Sequence, residues 1–433
     1  MTSFICGPGG QVSGEIRVPG DKSISHRSII LSSIAEGTSN VSGFLEGEDS
    51  LNTLTAFRAM GVDIYRDGSN LSINGVGLNG LSRPDQPLDM GNSGTAMRLL
   101  LGLLSGQAFN SVLVGDKSLS GRPMNRVIKP LLEMGAIISS REGGTAPLAI
   151  NSVEQINPID YLMPVASAQV KSCILLAGLY ASGKSSVKEP APTRDHTERM
   201  LRAFGCTVSS EKGHIQIDGK QTLKACDIDV PADISSAAFF IVAATLAQES
   251  EIKLNHVGIN PTRTGIIEIL RLMGANIGID NQRDVGGEPV ADLIIRSASL
   301  KGIQIPESLV PLAIDEFPVI FIAAACAHGE TVLTGAEELR VKESDRIQVM
   351  ADGLSILGIE ALPTPDGMRI QGGEMSGGRI DSHGDHRIAM AFSIASLRSQ
   401  SAIEIENCRN VDTSFPGFAA LAKSVGIGVQ VHE

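Results

Sequence analysis

Glu133-Met134-Gly135 ends a helix-patterned segment on a glycine, and a β-like run, Leu148-Ala149-Ile150, comes soon after. The same device stands at Ala59-Met60-Gly61, Ala203-Phe204-Gly205, Leu272-Met273-Gly274, Ile356-Leu357-Gly358 and Ser424-Val425-Gly426. These glycines are 74, 70, 69, 84 and 68 residues apart. Each fits the position just past a helix, where a left-handed backbone ends it without a Cβ penalty. Further β-like runs follow at Leu71-Ser72-Ile73, Ile215-Gln216-Ile217, Leu293-Ile294-Ile295 and Met368-Arg369-Ile370.

A second set of six helices interleaves with the first. They are apolar, alanine-rich and opened by polar residues, starting near Lys22, Asn92, Ser167, Asp233, Asp315 and Asp385. Those starts lie 70, 75, 66, 82 and 70 residues apart, in step with the glycines. A helix apolar around its whole circumference belongs in a domain core. The spacing therefore predicts six copies of a unit of about 70 residues, and three such copies make a domain of ordinary size. One break falls near Pro231. A first strand over 16–18, ending at Pro19-Gly20, can pair with either half.

Composition narrows the function. Of 433 residues, 42% are apolar and 19% charged, so the signature of disorder is missing. A net charge of −12 argues against broad binding to nucleic acid or an anionic membrane. Aromatics make up 3%, with no Trp, which leaves little for stacking on bases or sugars. The six cysteines stand singly, with no CxxC pair, as expected of thiols in a reducing compartment. No basic, apolar leader opens the chain, and the longest apolar runs (237–247 and 319–327) fall short of the ~20 residues of a membrane span. A soluble cytoplasmic protein is expected.

The helix openings carry the chemistry, because free N–H groups and the positive dipole end favour anions there. Gly20-Asp21-Lys22-Ser23-Ile24-Ser25-His26-Arg27 gathers a lysine, hydroxyls and an arginine in about one turn. Lys22 with His26, and Ser23 with Arg27, are four apart and share faces. That set suits phosphate or carboxylate. In Asn92-Ser93-Gly94-Thr95 the bare Gly94 lets a ligand approach the backbone, with Arg98 one turn on. Arg122 and Arg126 stand at another helix start, where an arginine is poorly placed unless an anion is near. Ser167-Ala168-Gln169-Val170-Lys171 and Thr193-Arg194-Asp195-His196 repeat the theme. In the second half the openings turn acidic: Asp315-Glu316, Lys342-Glu343-Ser344-Asp345-Arg346, and Asp385 beside Arg387. Asp233, with Ser235 and Ser236, reads as an ordinary cap. Carboxylates facing a cationic cluster can be tuned for proton transfer.

Two strings mislead. Gly178-Leu179-Tyr180-Ala181-Ser182-Gly183-Lys184-Ser185 matches the P-loop pattern, but a helix precedes it and a β-like run follows, the reverse of a phosphate cradle. His383 and His386 have HxxH spacing, yet the surrounding Asp381, Gly384 and Asp385 make a turn and cap with no third ligand nearby. No metal and no cofactor are expected.

Taken together, the six openings at 20–27, 91–98, 167–171, 315–318, 341–346 and 385–390 resemble the 5-enolpyruvylshikimate-3-phosphate synthase family (3-phosphoshikimate 1-carboxyvinyltransferases), in family order along the whole chain. The resemblance implies an α/β inside-out barrel. It has two domains of three βαβαββ units each, with helix N-termini facing the cleft between them. Residues 1–20 and 231–433 then form one discontinuous domain and 21–230 an inserted second one. It further implies a monomeric enzyme whose partners are two small molecules, shikimate 3-phosphate and phosphoenolpyruvate. The enolpyruvyl group passes to the 5-hydroxyl of shikimate 3-phosphate, and phosphate is released.

Carried over by position, Lys22 contacts phosphoenolpyruvate and carries a proton, and it also touches shikimate 3-phosphate. Ser23, Arg27, Ser167, Ala168, Gln169, Asp315 and Lys342 become shikimate 3-phosphate ligands. Gly94, Arg122, Gln169, Arg346 and Arg387 become phosphoenolpyruvate ligands. Asp315 resembles the base for the 5-hydroxyl proton, and Glu343 the partner acid at the methylene carbon. Gly94 leaves room for glyphosate, so inhibition competitive with phosphoenolpyruvate is expected.

The chain departs from many members at Ala168, where a second serine is common, and at Thr413, where a lysine is. These features place it with a divergent bacterial branch, in which Arg194 supplies a shikimate-side contact. The sister UDP-N-acetylglucosamine 1-carboxyvinyltransferases are the main alternative. They carry a reactive cysteine near 122–126, which this chain lacks, and they lack the Asp-Lys-Ser-x-Ser-His-Arg opening. A P-loop kinase and a non-catalytic anion-binding protein are the remaining readings.

Overall fold

The computed structural model describes residues 2–433. It divides into two compact units. The first comprises the residues up to Pro19 together with Pro231–Arg283 and Pro289–Glu433, and the second comprises Gly20–Val230 and Asp284–Glu288. Each has its own hydrophobic core.

The helix-ending glycines all adopt positive φ: Gly61 at 88°, Gly135 at 92°, Gly205 at 85°, Gly274 at 107°, Gly358 at 85° and Gly426 at 96°. They follow the helices Glu48–Ala59, Asn125–Glu133, His196–Ala203, Gly265–Met273, Arg346–Ile356 and Phe418–Ser424. A Cβ at any of them would clash with its own backbone.

The second set of six helices is Lys22–Ser33, Gly94–Leu104 and Ala168–Gly178 in the second unit, and Ile234–Leu246, Phe317–Ala325 and His386–Ala395 in the first. Every residue of Ile234–Leu246 and of Phe317–Ala325 is buried, as their predominantly apolar sequences require. Small residues let neighbours come close: a Cβ on Gly102 would lie 2.2 Å from the Cys173 carbonyl oxygen. Truncating a buried leucine such as Leu100 would cost about 2–5 kcal/mol.

Among the described residues six small sheets, five of them mixed, cover these helices. In the second unit Leu88–Asp89 runs parallel to Ser111–Val114, which is antiparallel to Thr145–Asn151, itself antiparallel to Ile137–Arg141. The same order recurs in Ile228–Asp229, Glu36–Ser42, Asn70–Val76 and Asp63–Asp67. It recurs again in Asp160–Leu162, Lys184–Lys188, His214–Asp218 and Val208–Glu211. In the first unit Ser13–Ile16 opens one such sheet beside Glu251–Gly258, and Gly378–Asp381 opens another beside Ile403–Glu406. The remaining sheet has three strands, with single parallel bridges at Lys301–His328 and Gln304–Val332 along its edge. The early strand thus pairs with the first unit and ends at Ile16, not at Val18. Pro19 has no N–H to continue a ladder.

Two details of the sequence reading are refined. The P-loop-like string leaves the helix Ala168–Gly178 and enters the strand Lys184–Lys188, so no helix N-terminus faces it. His383 sits at φ 51° in the turn before the helix His386–Ala395. None of the described helices is long and apolar enough to cross a membrane.

Candidate active site

In the second unit the helix Lys22–Ser33 is capped by Asp21, whose Oδ1 accepts from Ile24 N at 2.8 Å. The cap leaves Lys22 in the first turn, where its ammonium pairs with Asp49. Arg27, one turn on, is buried among hydroxyls. Its Nε donates to Thr197 Oγ1 at 2.7 Å, Nη2 to Ser172 Oγ at 2.9 Å, and Nη1 to the Ser23 carbonyl at 2.9 Å. Burial pulls its pKa down to about 10, Glu198 and Asp21 pull the other way, and Arg194 adds repulsion. It stays charged at neutral pH. His26 turns inward instead, between Thr53 Oγ1 at 2.8 Å and Ser93 Oγ at 3.3 Å. Burial, with Lys22 and Arg27 nearby, depresses its pKa to about 3, so it is neutral.

Ser93 caps the helix Gly94–Leu104, accepting from Ala96 N at 3.1 Å. A Cβ built on Gly94 would lie 3.1 Å from Arg98 Nη1 and 3.5 Å from Arg122 Nη1, so the bare backbone faces two guanidinium groups. Arg122 also donates to Asn92 Oδ1 at 2.9 Å. Arg98 donates to Gln169 Oε1, and Gln169 Nε2 to Thr95 Oγ1 at 2.8 Å. Ser167 caps the helix Ala168–Gly178 through Val170 N at 3.4 Å. Arg98, Gln169 and Thr95 therefore share one network, and Arg98 and Arg122 both stand beside Gly94. Arg126, four residues beyond Arg122, is exposed in the first turn of Asn125–Glu133.

In the first unit Asp315 lies in the turn before Phe317–Ala325, with Lys342 Nζ and Arg346 Nη1 each 3.5 Å from its Oδ1. Its backbone carbonyl accepts from Arg387 Nη1 at 2.9 Å. Glu343 Oε2 accepts from Arg346 Nη2 at 2.6 Å. Arg346 is buried against Asp385, and its Nη1 has no hydrogen-bond partner among the described residues. Burial opposes its charge, but Asp385, Glu343 and Asp315 outweigh that and raise its pKa above the ordinary range. Asp385 is shifted down in turn: burial would raise it, and Arg346 prevails. The predicted residues Asp315, Lys342, Glu343, Arg346 and Arg387 thus form one cluster. Asp233 caps Ser235 N at 2.8 Å and pairs with Arg263, the ordinary role expected of it.

The sequence reading missed Asp49, Ser172, Thr197, Glu316 and Asn92 as partners. Glu316, not Asp315, immediately precedes the helix Phe317–Ala325; it is buried and accepts from Ser235 Oγ. An acid in a first helical turn, such as Asp49, looks the same whether it serves the dipole or a lysine.

Both units are α/β, with cations and carboxylates gathered at the openings of buried helices. The enolpyruvyl transferase NikO from Streptomyces tendae, 16% identical, superposes with a TM-score of 0.77 over 100% of this chain and 98% of its own, so the chain has the enolpyruvyl transferase fold. A family profile described as EPSP synthase (3-phosphoshikimate 1-carboxyvinyltransferase) matches residues 7–421. The 3-phosphoshikimate 1-carboxyvinyltransferase of Alkalilimnicola ehrlichii is 64% identical over 98% of this chain and 95% of its own length. That of Methylococcus capsulatus is 64% identical over 99% and 98%. An EPSP synthase structure from Acinetobacter baumannii has 56% identity and a TM-score of 0.92 over 100% of both chains. The chain belongs to the EPSP synthase family. With membership comes the activity, a transferase step of the shikimate pathway to the aromatic amino acids; the UDP-N-acetylglucosamine alternative falls.

Proposed function

We propose that the residues gathered in the two units bind shikimate 3-phosphate and phosphoenolpyruvate for one reaction. Lys22, Ser23, Arg27, Ser167, Ala168, Gln169, Arg194, Asp315 and Lys342 take shikimate 3-phosphate. Lys22, Gly94, Arg122, Gln169, Arg346 and Arg387 take phosphoenolpyruvate. The observation that carries this reading is Arg346, a buried, charged guanidinium whose Nη1 has no hydrogen-bond partner among the described residues and lies 3.5 Å from the carboxylate of Asp315. A buried donor of that kind is costly unless an anion accepts from it.

In the reaction, the 5-hydroxyl oxygen bonds to C2 of phosphoenolpyruvate and its proton passes to Asp315. A proton reaches the methylene C3 from Lys22 or Glu343, and the positive charge developing at C2 is stabilised by the carboxylates. C3 then loses a proton, the C2–O bond to phosphate breaks, and inorganic phosphate leaves. Arg122, Arg346 and Arg387 hold the phosphoenolpyruvate charges throughout. The finer architecture we assign is the inside-out α/β barrel, six βαβαββ repeats in two domains (1–20 with 231–433, and 21–230), working as a cytoplasmic monomer.

Phosphorus NMR of the protein with both substrates and a chelator tests the reading. Inorganic phosphate and a new phosphate ester are expected, each dependent on both substrates. Turnover with UDP-N-acetylglucosamine in place of shikimate 3-phosphate would overturn it.

A further inference from the structure

Lys171 follows Gln169 by two residues on the helix Ala168–Gly178, and its side chain is 1% exposed. Its Nζ lies 2.7 Å from Glu198 Oε1 and 3.1 Å from Glu189 Oε2, and it donates to the Thr193 carbonyl at 3.5 Å. By formal charge, one ammonium between two carboxylates leaves the cluster one negative charge in excess.

Each carboxylate leads toward an arginine. Glu189 Oε2 accepts from Thr193 Oγ1 at 2.7 Å and Oε1 from Thr193 N at 3.4 Å, so Lys171 and Glu189 together pin the residue just before Arg194. Glu198 adjoins Thr197, whose hydroxyl accepts from Arg27 and pairs with Ser172 Oγ at 2.7 Å. Glu198 Oε2 is buried with no hydrogen-bond partner among the described residues, and its charge is felt at Arg27. A carboxylate free to pair with Arg27 or Arg194 competes with a phosphate for the same donors.

We infer that Lys171 is a positioning residue for the 3-phosphate of shikimate 3-phosphate: it fixes the Thr193-Arg194 segment and holds Glu189 and Glu198 away from Arg27 and Arg194, whose charge then goes to the substrate. This rests on the substrate assignment proposed above.

Steady-state kinetics with shikimate 3-phosphate and with unphosphorylated shikimate test it. Lys171→Met is expected to raise the KM for shikimate 3-phosphate about tenfold or more while KM for phosphoenolpyruvate and for shikimate moves less than about twofold. Removing the competing charge as well, in Lys171→Met/Glu198→Gln, is expected to bring that KM back to within about threefold of the parent, a rescue that a purely structural plug would not show. A joint rise of all three KM values, or no recovery in the double variant, overturns the inference. If Lys171→Met is too unstable to purify, Lys171→Arg and the double variant decide: a KM for shikimate 3-phosphate raised about tenfold in either overturns it. Arg27→Ala and Arg194→Ala in the otherwise unchanged chain separate the two claims. If neither raises the KM for shikimate 3-phosphate, the substrate assignment has failed, and the inference with it.

Discussion

Arg346 and Asp385 meet in the first unit with side chains 1% and 0% exposed, Nε donating to Oδ2 at 2.8 Å and Nη2 to Oδ1 at 3.3 Å. The same carboxylate caps the helix His386–Ala395 through Arg387 N at 2.9 Å and accepts from Ser344 Oγ at 3.0 Å. One buried acid therefore aligns the helix start and one face of the guanidinium. Glu343 shares Nη2, which leaves the buried Nη1 without a hydrogen-bond partner among the described residues, 3.5 Å from Asp315.

Asp385→Asn should therefore damage both stability and binding. Breaking a buried pair costs about 3–5 kcal/mol, and the lower end applies because Glu343 and Asp315 still compensate Arg346. Denaturant unfolding should show that loss, and kinetics a raised KM for phosphoenolpyruvate. An unchanged midpoint would mean that Arg346 is held by its other partners alone.

Gly94→Ala separates fold from site. Alanine is the better helix former by about 1 kcal/mol, and the atoms it meets are the mobile ends of Arg98 and Arg122, so the melting temperature should hold. Crowding those guanidiniums should raise KM for phosphoenolpyruvate by about tenfold, or 1.4 kcal/mol. A normal KM would show that the substrate does not come near Gly94.

His26 sets a pH dependence of stability. Its pKa is about 3 when folded, below its ordinary value, so under about pH 6.5 the unfolded chain takes up the proton first. Stability is then fully present above that pH and falls toward pH 3, by about 2 kcal/mol at pH 5. Unfolding titrations of the parent and of His26→Gln should differ in slope over that window and run parallel above it. Parallel curves throughout would show that His26 is protonated in the folded chain.

Much of this was legible because it is local. A glycine at Gly61 or Gly274 that must take positive φ announces a helix end in the sequence itself, and the largely apolar run after Asp233 announces a buried helix. The openings at Lys22, Gly94 and Asp315 were legible as anion sites because a helix start has a known polarity. What stayed hidden joins distant residues: Arg98 with Gln169, Arg27 with Thr197, and Arg346 with Asp385 lie 71, 170 and 39 positions apart. No periodicity encodes such pairings. His26 shows the limit from the other side: its spacing put it on the face of Lys22, yet burial turned it into a neutral core residue.

Lys22 occupies the first turn of its helix, about a quarter exposed and paired with Asp49. Replacing it with methionine removes a cation and little packing. Lys22→Met should fold like the parent and lose turnover by about a thousandfold or more, the size expected when charge stabilisation and proton delivery go together. Circular dichroism and the phosphate-release rate check both halves, and near-parental turnover would remove Lys22 from the mechanism.

Asp315 offers the sharpest test of how the proton is taken from the 5-hydroxyl. Its carboxylate is met at 3.5 Å by both Lys342 and Arg346, and its backbone carbonyl accepts from Arg387. Asparagine preserves the size and the backbone contact but cannot accept the proton. Asp315→Asn should therefore lower kcat by about 10²–10⁴, the usual contribution of a positioned base, with KM for phosphoenolpyruvate nearly unchanged because Arg346 and Arg387 remain in place. If kcat survives while KM for shikimate 3-phosphate rises, Asp315 is a binding residue, and the base is Glu343 or Lys22.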